Sequence, residues 1–212
     1  MPQDKRQQHD YGPGAGSAAE VREFFTPRAA DWDSRFPDDG PAYAAAVTEL
    51  GLRTGDAVLD AGCGTGRALP ALRAAVGPEG TVLGADLTPA MLEAAIRAER
   101  DGAAALLVGD VARLPLRDGS LDAVFAAGLI SHLGEPDPGL RELARVVRPG
   151  GRLALFHPVG RAALAARHGR QVTPGDLRAE PNLRPLLARS GWKLESYTDE
   201  DTCYLALSVR QD

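Results

Sequence analysis

Three aspartates, Asp60, Asp86 and Asp110, recur about 25 residues apart, each at the end of a short apolar run. The first opens onto glycines at alternate positions in Val58-Leu59-Asp60-Ala61-Gly62-Cys63-Gly64-Thr65-Gly66. An apolar run that ends in an acid and breaks into glycines reads as a strand entering a turn. There the missing Cβ and the access to positive φ let a ligand lie against the main chain. A helix expected over residues 67–76 would aim its free N–H groups and positive dipole end at that ligand. Asp86 falls about 20 residues beyond the turn, where a carboxylate can accept hydrogen bonds from both ribose hydroxyls. The three acids and the glycine turn therefore describe a site for an adenosine-type ligand. His132 and His157 follow the expected fourth and fifth strands and could serve as general bases, His157 being the better placed. Each could equally be a surface or turn histidine. Cys63 sits in the turn facing the ligand backbone and is not assigned as a nucleophile.

Composition narrows the chemistry. At 212 residues with 44% apolar side chains, one domain with an ordinary core is expected. A formal net charge of -5 argues against nucleic acid as a partner, because phosphate contacts demand a basic footprint. No Pro-Cys segment for cytosine-C5 chemistry exists, nor an Asn/Asp-Pro-Pro-Tyr/Phe segment for amino-methylation of bases. Neither Lys5 nor Lys193 follows a glycine, which excludes a P-loop, and no tyrosine has a lysine four residues on, which excludes short-chain dehydrogenase chemistry. Cys63 and Cys203 show no metal-ligand spacing and no disulfide framework, so reduced thiols, no metal and a cytoplasmic location are expected. No apolar stretch approaches the ~18 residues of a membrane span.

The elements that must position these residues alternate. Strands are expected over 57–61, 81–85, 104–108, 121–127 and 152–156, with helices over 67–76, 89–100 and 137–148, Thr88 capping the second and Pro149-Gly150-Gly151 stopping the third. This is the pattern of βαβ units in a parallel sheet with helices on both faces, its functional edge at the carboxyl ends of the strands. Strands over 192–198 and 202–209, joined at residues 199–201, add an antiparallel hairpin. The fold expected is therefore α/β, a three-layer sandwich whose mostly parallel seven-stranded sheet ends in that hairpin. Residues 1–17 read as a flexible tail and 18–212 as one domain, with 18–52 an N-terminal helical cap and 158–190 a helical cover. Six of the eleven aromatic residues, Tyr11, Phe24, Phe25, Trp32, Phe36 and Tyr43, fall in the first 43 positions. Core packing explains most of them, and a ligand cap explains the remainder.

The order of these stretches resembles the class I S-adenosylmethionine-dependent methyltransferases, in the ubiquinone/menaquinone-type (methyltransferase type 11) and secondary-metabolite branch. The resemblance runs from about Phe24 to the C-terminus. It rests on the glycine turn, on Leu114-Pro115-Leu116-Arg117-Asp118-Gly119-Ser120-Leu121-Asp122-Ala123-Val124, and on Leu143-Ala144-Arg145-Val146-Val147-Arg148-Pro149-Gly150-Gly151-Arg152-Leu153. It implies that S-adenosyl-L-methionine is the cofactor, and that Ala61, Gly62, Cys63, Gly64 and Gly66 form the turn against its methionine part while Asp60 holds the amino group. Asp86 would take the ribose, Leu87 one face of the adenine, Asp110 the adenine amino group and the Val111 N–H a ring nitrogen, with Ala127 and Gly128 completing the amino-group pocket. Asp60 or Asp110 capping a turn is the alternative. The function implied is methyl transfer to O, N or C of a small-molecule acceptor; a cofactor-binding regulator without catalysis is the other class. Arg161, Arg167, His168, Arg170 and Arg178 in the cover would recognise an acidic acceptor, or else form a solvated face.

Overall fold

The computed structural model describes residues 16–35 and 39–212. Five strands follow the apolar runs: β1 (Ala57–Ala61), β2 (Thr81–Asp86), β3 (Ala105–Val108), β4 (Leu121–Ala127) and β5 (Val147–His157). All pair in parallel in the order β3-β2-β1-β4-β5. β1 and β4 are almost wholly apolar and buried, as strands covered on both faces must be. The sheet is completed by β6 (Trp192–Glu200) and β7 (Cys203–Arg210), which pair antiparallel with each other while β7 runs antiparallel to β5. The seven-stranded mixed sheet is the one expected, and the strand order reverses between β1 and β4.

Helices α3 (Gly40–Leu50) and α4 (Leu69–Val76) cover one face, burying Leu50, Leu69 and Leu72 against Phe125 and Phe156. On the other, α6 (Pro136–Val146) and α8 (Glu180–Arg189) pack Leu140, Leu143, Leu183 and Leu187 around Trp192 and Leu153. Leu183, Leu186 and Leu187 face inward, as their spacing requires. Helix α5 (Pro89–Arg97) lies beside β2 and β3, and α7 (Arg161–Arg167) against β6. Before the sheet, α1 (Ala18–Phe25) begins with a reciprocal Ser17–Glu20 capping box.

Several boundaries differ from the expectations, each for a local reason. Within the expected helical cap the first helix stops at Phe25, because Pro27 favours a tighter 3-10 turn over Thr26–Asp31, followed by the single turn α2 (Trp32–Arg35). The helix over 89–100 ends at Arg97, where Glu99 takes φ 56° and lets Arg100 turn back to bond the Ala95 carbonyl. At its other end Thr88 holds the capping position without a side-chain cap bond; its own N–H donates to Asp86 Oδ1 at 2.8 Å. The third helix ends at Val146, and Pro149-Gly150-Gly151 lies inside β5, where the pairing with β4 shifts register. A Cβ on Gly151 would stand 2.6 Å from the Asp122 carbonyl oxygen, so the close approach admits only glycine. The hairpin turns at Asp201–Thr202, one residue later than expected.

The stretch before β4 that resembles a family motif is a fastening. Glu142 accepts the Leu114 N–H at 2.7 Å, while Arg145 donates to the Leu114 and Leu116 carbonyls and pairs with Glu142 and Asp118. Asp122 accepts the Ala57 N–H and pairs with Arg148, tying the start of β1 to β4. These acids hold the sheet that carries the site and have no place in its chemistry.

Candidate cofactor and acceptor site

The strand order reverses between β1 and β4, and open α/β sheets bind ligands at the carboxyl ends of the strands there. A cavity of about 630 Å³ opens there. On its wall stand Asp60, Gly62, Cys63, Gly64, Asp86, Leu87, Asp110, Val111, Ala127, Gly128, His132 and His157, which brings together twelve of the fourteen positions singled out in the sequence. Ala61 and Gly66 stand off it. Ala61 points into the core, and a Cβ on Gly66 would meet Leu69 Cδ1 at 2.8 Å and Ala95 Cβ at 3.3 Å. Gly66 is therefore a packing glycine that lets the turn close onto α4 and α5.

Gly62, Gly64 and Gly66 take φ of 69°, 54° and 77°, as the alternate glycines demand. Four amides of the turn are engaged within the protein. Gly62 and Cys63 donate to the Ala85 carbonyl at 2.8 and 3.0 Å, Gly64 to Asp86 Oδ2 at 2.8 Å, and Gly66 to the Cys63 carbonyl. The turn is thus pinned to the end of β2, and α4 starts two residues later than expected, at Leu69. What Gly64 and Gly128 offer is room: a Cβ at either would meet nothing within 4 Å.

The acids differ in circumstance. Asp60 is 1% exposed, its Oδ1 makes no hydrogen bond among the described residues, and burial, with the nearby Asp86 charge, pushes its carboxyl up to about 8. A buried carboxyl without a partner is a site for a cation that the protein itself does not supply. Asp86 is raised by burial, and each of its oxygens accepts one backbone N–H, from Gly64 and Thr88, with a further lone pair on each for a ligand. Asp110 Oδ1 accepts the Ala112 N–H at 2.9 Å, so it shapes its own turn, as the alternative reading had it, while the residue lines the cavity. Cys63 is buried and its thiol is pushed well up by burial and by Asp60 and Asp86, which removes it as a nucleophile.

His157 closes β5. Its Nδ1 lies 2.8 Å from the Val159 carbonyl oxygen, closer than the 3.1 Å to the Val159 N–H, which sets the Nδ1–H tautomer with the basic lone pair on Nε2. Burial, with Arg178 and Arg167 nearby, brings its pKa down to about 4. His132 ends a 3-10 turn, Leu129–His132, and meets the edge of the Phe25 ring at 5.2 Å.

The cap supplies rings that the sequence named but could not rank, and Val21, which it did not name. Val21, Phe25, Trp32 and Tyr43 line the cavity, Phe25 and Trp32 packed edge to face at 5.4 Å. Phe24 stacks under Arg28 beside them, while Tyr11 and Phe36 lie outside the described residues, as does the expected tail through residue 15. Asp33 accepts from Thr65 Oγ1 at 2.6 Å and from Arg100 at 2.6 Å, and Arg100 also donates to the Thr65 carbonyl. Asp39 pairs with Arg67 at 3.2 Å. These bonds clasp Asp33 and Asp39 to the glycine turn and to Arg100. Replacing Arg100 with alanine removes two of them, at a cost of about 1–2 kcal/mol to closure. Limited proteolysis within residues 16–50 then becomes several-fold faster; an unchanged cleavage rate would mean that the clasp does not hold the cap.

A doubly wound sheet with an acid-ended, glycine-lined cavity at its switch point defines a Rossmann-like protein for a nucleoside cofactor. Residues 59–155 match the family described as Methyltransferase domain. The chain is 38% identical over 110 residues to 27-O-demethylrifamycin SV methyltransferase of Amycolatopsis mediterranei, covering 50% of this chain and 40% of that protein. It is 37% identical over 112 residues to demethylmenaquinone methyltransferase of Beutenbergia cavernae, covering 52% and 44%. The chain thus spans less than half the length of these relatives. Its fold matches that of magnesium protoporphyrin IX methyltransferase from Synechocystis with bound SAH, at a TM-score of 0.69 and 19% identity over 92% of this chain and 99% of the other. The fold is that of the class I S-adenosylmethionine-dependent methyltransferases. Among the described residues no helix is long and apolar enough to cross a membrane.

Proposed function

We propose that this protein is an S-adenosylmethionine-dependent methyltransferase that moves a methyl group to O, N or C of a small-molecule acceptor. The observation that carries this reading is Asp60, a buried carboxyl without a hydrogen bond at the head of a cavity whose other acids stand where a nucleoside would lie. S-adenosylmethionine, when bound, supplies a sulfonium methyl that is already strongly electrophilic. Asp60, with the room in front of Gly64, holds the ammonium group. The lone pairs left on Asp86 take the ribose hydroxyls, and Leu87, Asp110 and Val111 frame the adenine. Ala127 and Gly128 close the site from the β4 side.

The remaining task of the chain is alignment and the exclusion of water, which can contribute ~7–11 kcal/mol toward the barrier. The aromatic cap of Phe25, Trp32 and Tyr43, clasped by Arg100, does this. The same cavity is lined by His132, His157, Val159 and Leu164 as well as by the acids, and this further lining argues for catalysis rather than a regulator that only binds cofactor. His157 Nε2 is the base proposed for an acceptor that must lose a proton. Being neutral above about pH 5, it gives a rate without an acid limb at neutral pH. The two free cysteines favour a cytoplasmic setting.

The test is turnover against a panel of phenol, amine and activated-methylene acceptors. In His157→Ala kcat falls about 100-fold or more with cofactor affinity unchanged. Normal kcat in both His157→Ala and His132→Ala would remove the histidines as bases, and no turnover with any acceptor class would count against catalysis.

A further inference from the structure

The wall of the cavity is divided by charge. Of its carboxylates, Asp60, Asp86 and Asp110 stand at the ends of β1, β2 and β3, Asp39 is paired with Arg67, and Glu135 follows β4. Arg167, His168, Arg170 and Arg178 line the wall from the cover segment instead. Tyr197 on β6 and Tyr204 on β7 both donate to the Arg178 carbonyl, at 2.9 and 3.3 Å, which seats this group over the far side of the sheet from β1–β3. Neighbouring strands lie ~4.8 Å apart, so the two charged ends are several strand spacings from each other.

The arginines of the cover are not equivalent. Arg161 is absent from the wall; it pairs with Asp199 at 2.9 Å and Asp176 at 3.3 Å and anchors α7 to the hairpin, which disposes of it as a recognition residue. Arg178 has a side chain only 16% exposed, yet its one carboxylate, Asp176, is 3.6 Å away and shared with Arg161. Arg167 and Arg170 make no ion pair or hydrogen bond among the described residues. Arg167 ends α7 and suits the negative end of that helix, but helix polarity does not account for three guanidiniums reaching one cavity wall. Arg167 and Arg178 line the same cavity as His157, and their charges disfavour its protonation. The same wall also carries the apolar side chains of Phe25, Leu133, Val159 and Leu164.

We propose that the acceptor has an apolar body and an anionic group, carboxylate or phosphate, which Arg178, Arg167 and Arg170 hold beside His157. This rests on the methyltransferase reading and names its acceptor class. A guanidinium presents a planar fork of donors to such oxygens and gains most when it is shielded from water, as Arg178 is. The anionic group is a handle that fixes the acceptor, with the apolar body reaching from it toward the cofactor end.

The experiment titrates the full chain, saturated with S-adenosylhomocysteine, with benzoate, phenyl phosphate and neutral benzamide, by calorimetry and by ligand-observed NMR. The expected result is that one anion binds at least tenfold tighter than benzamide, and the stronger of the two identifies the handle as carboxylate or phosphate. In Arg178→Gln and in the double variant Arg167→Gln/Arg170→Gln that preference falls at least tenfold while S-adenosylhomocysteine affinity is unchanged. The double variant alters exposed side chains only and keeps the test clear of any folding defect at Arg178. Equal binding of charged and neutral probes, no anion binding, or anion binding indifferent to both variants overturns the proposal. Wild type that fails to bind S-adenosylhomocysteine but retains arginine-dependent anion binding would instead fail the cofactor reading and leave the basic handle standing.

Discussion

Asp86→Ala loses S-adenosylmethionine binding by at least ~100-fold. Two charge-assisted hydrogen bonds from ribose hydroxyls, at about 1.5–3 kcal/mol each, go with the carboxylate. The same side chain also accepts the Gly64 and Thr88 amides at 2.8 Å, so its removal unpins the glycine turn from β2 and leaves two part-buried N–H groups without a partner. Asp86→Asn separates the two roles. A single amide oxygen can serve only one of the two backbone donors, and the variant binds weakly yet melts closer to wild type than Asp86→Ala does. Calorimetric titration and thermal melts of both variants check this. Wild-type affinity in Asp86→Ala would show that the ligand does not lie across the end of β2.

Asp60→Asn makes the ligand-free protein more stable while it abolishes cofactor binding. The Asp60 carboxyl titrates near 8 in the folded protein and near 4 in an unfolded chain. Between those values the folded state retains a proton that the unfolded state has released. Stability therefore falls as pH rises, by up to about 1.4 kcal/mol per pH unit, and the loss levels off above about pH 8. Asparagine cannot ionise, so the advantage of the variant over wild type is small near pH 5 and grows toward pH 8. For a chain of this length each kcal/mol corresponds to roughly 2–4 °C in Tm. Melts of the two proteins across pH 5–9 measure the widening gap. A gap independent of pH, or unchanged cofactor affinity in the variant, would contradict the role given to Asp60. The opposition of stability and function at one residue is expected where a buried group waits for a ligand of opposite charge.

The parallel sheet was legible because its strands are short apolar runs closed by glycine and aspartate, signals that depend on neighbours in sequence. The glycine turn was legible for the same reason, although its hydrogen bonding was not. Three alternate glycines announce positive φ, but that the Gly62, Cys63 and Gly64 amides would bond β2 depends on residues more than 20 positions away. Gly66 was misassigned as a ligand glycine because the side chains that crowd it, Leu69 and Ala95, come from α4 and α5. The stretch around Leu114–Asp122 that carried part of the resemblance fastens the sheet, through Arg145 and Arg148. The cap contributed what sequence could not rank. Among six early aromatic residues nothing distinguished Phe25, Trp32 and Tyr43, and the clasp from Asp33 to Thr65 and Arg100 joins positions up to 67 apart. Likewise Arg161 and Arg167, six residues apart on α7, looked alike in sequence. One proved to be an ion-paired anchor and the other faces the cavity, a difference made by Asp176 and Asp199.

The central claim, that the acid-ended cavity holds S-adenosylmethionine, is tested most directly by calorimetric titration of the wild-type chain with S-adenosylmethionine, S-adenosylhomocysteine and NAD at pH 7, in two buffers of different ionisation enthalpy. The account predicts micromolar binding of both sulfur ligands and none of NAD. It also predicts release of close to one proton per site, as the ammonium group draws Asp60 into its ionised form. Absence of binding by both sulfur ligands, or binding of NAD in their place, would contradict it.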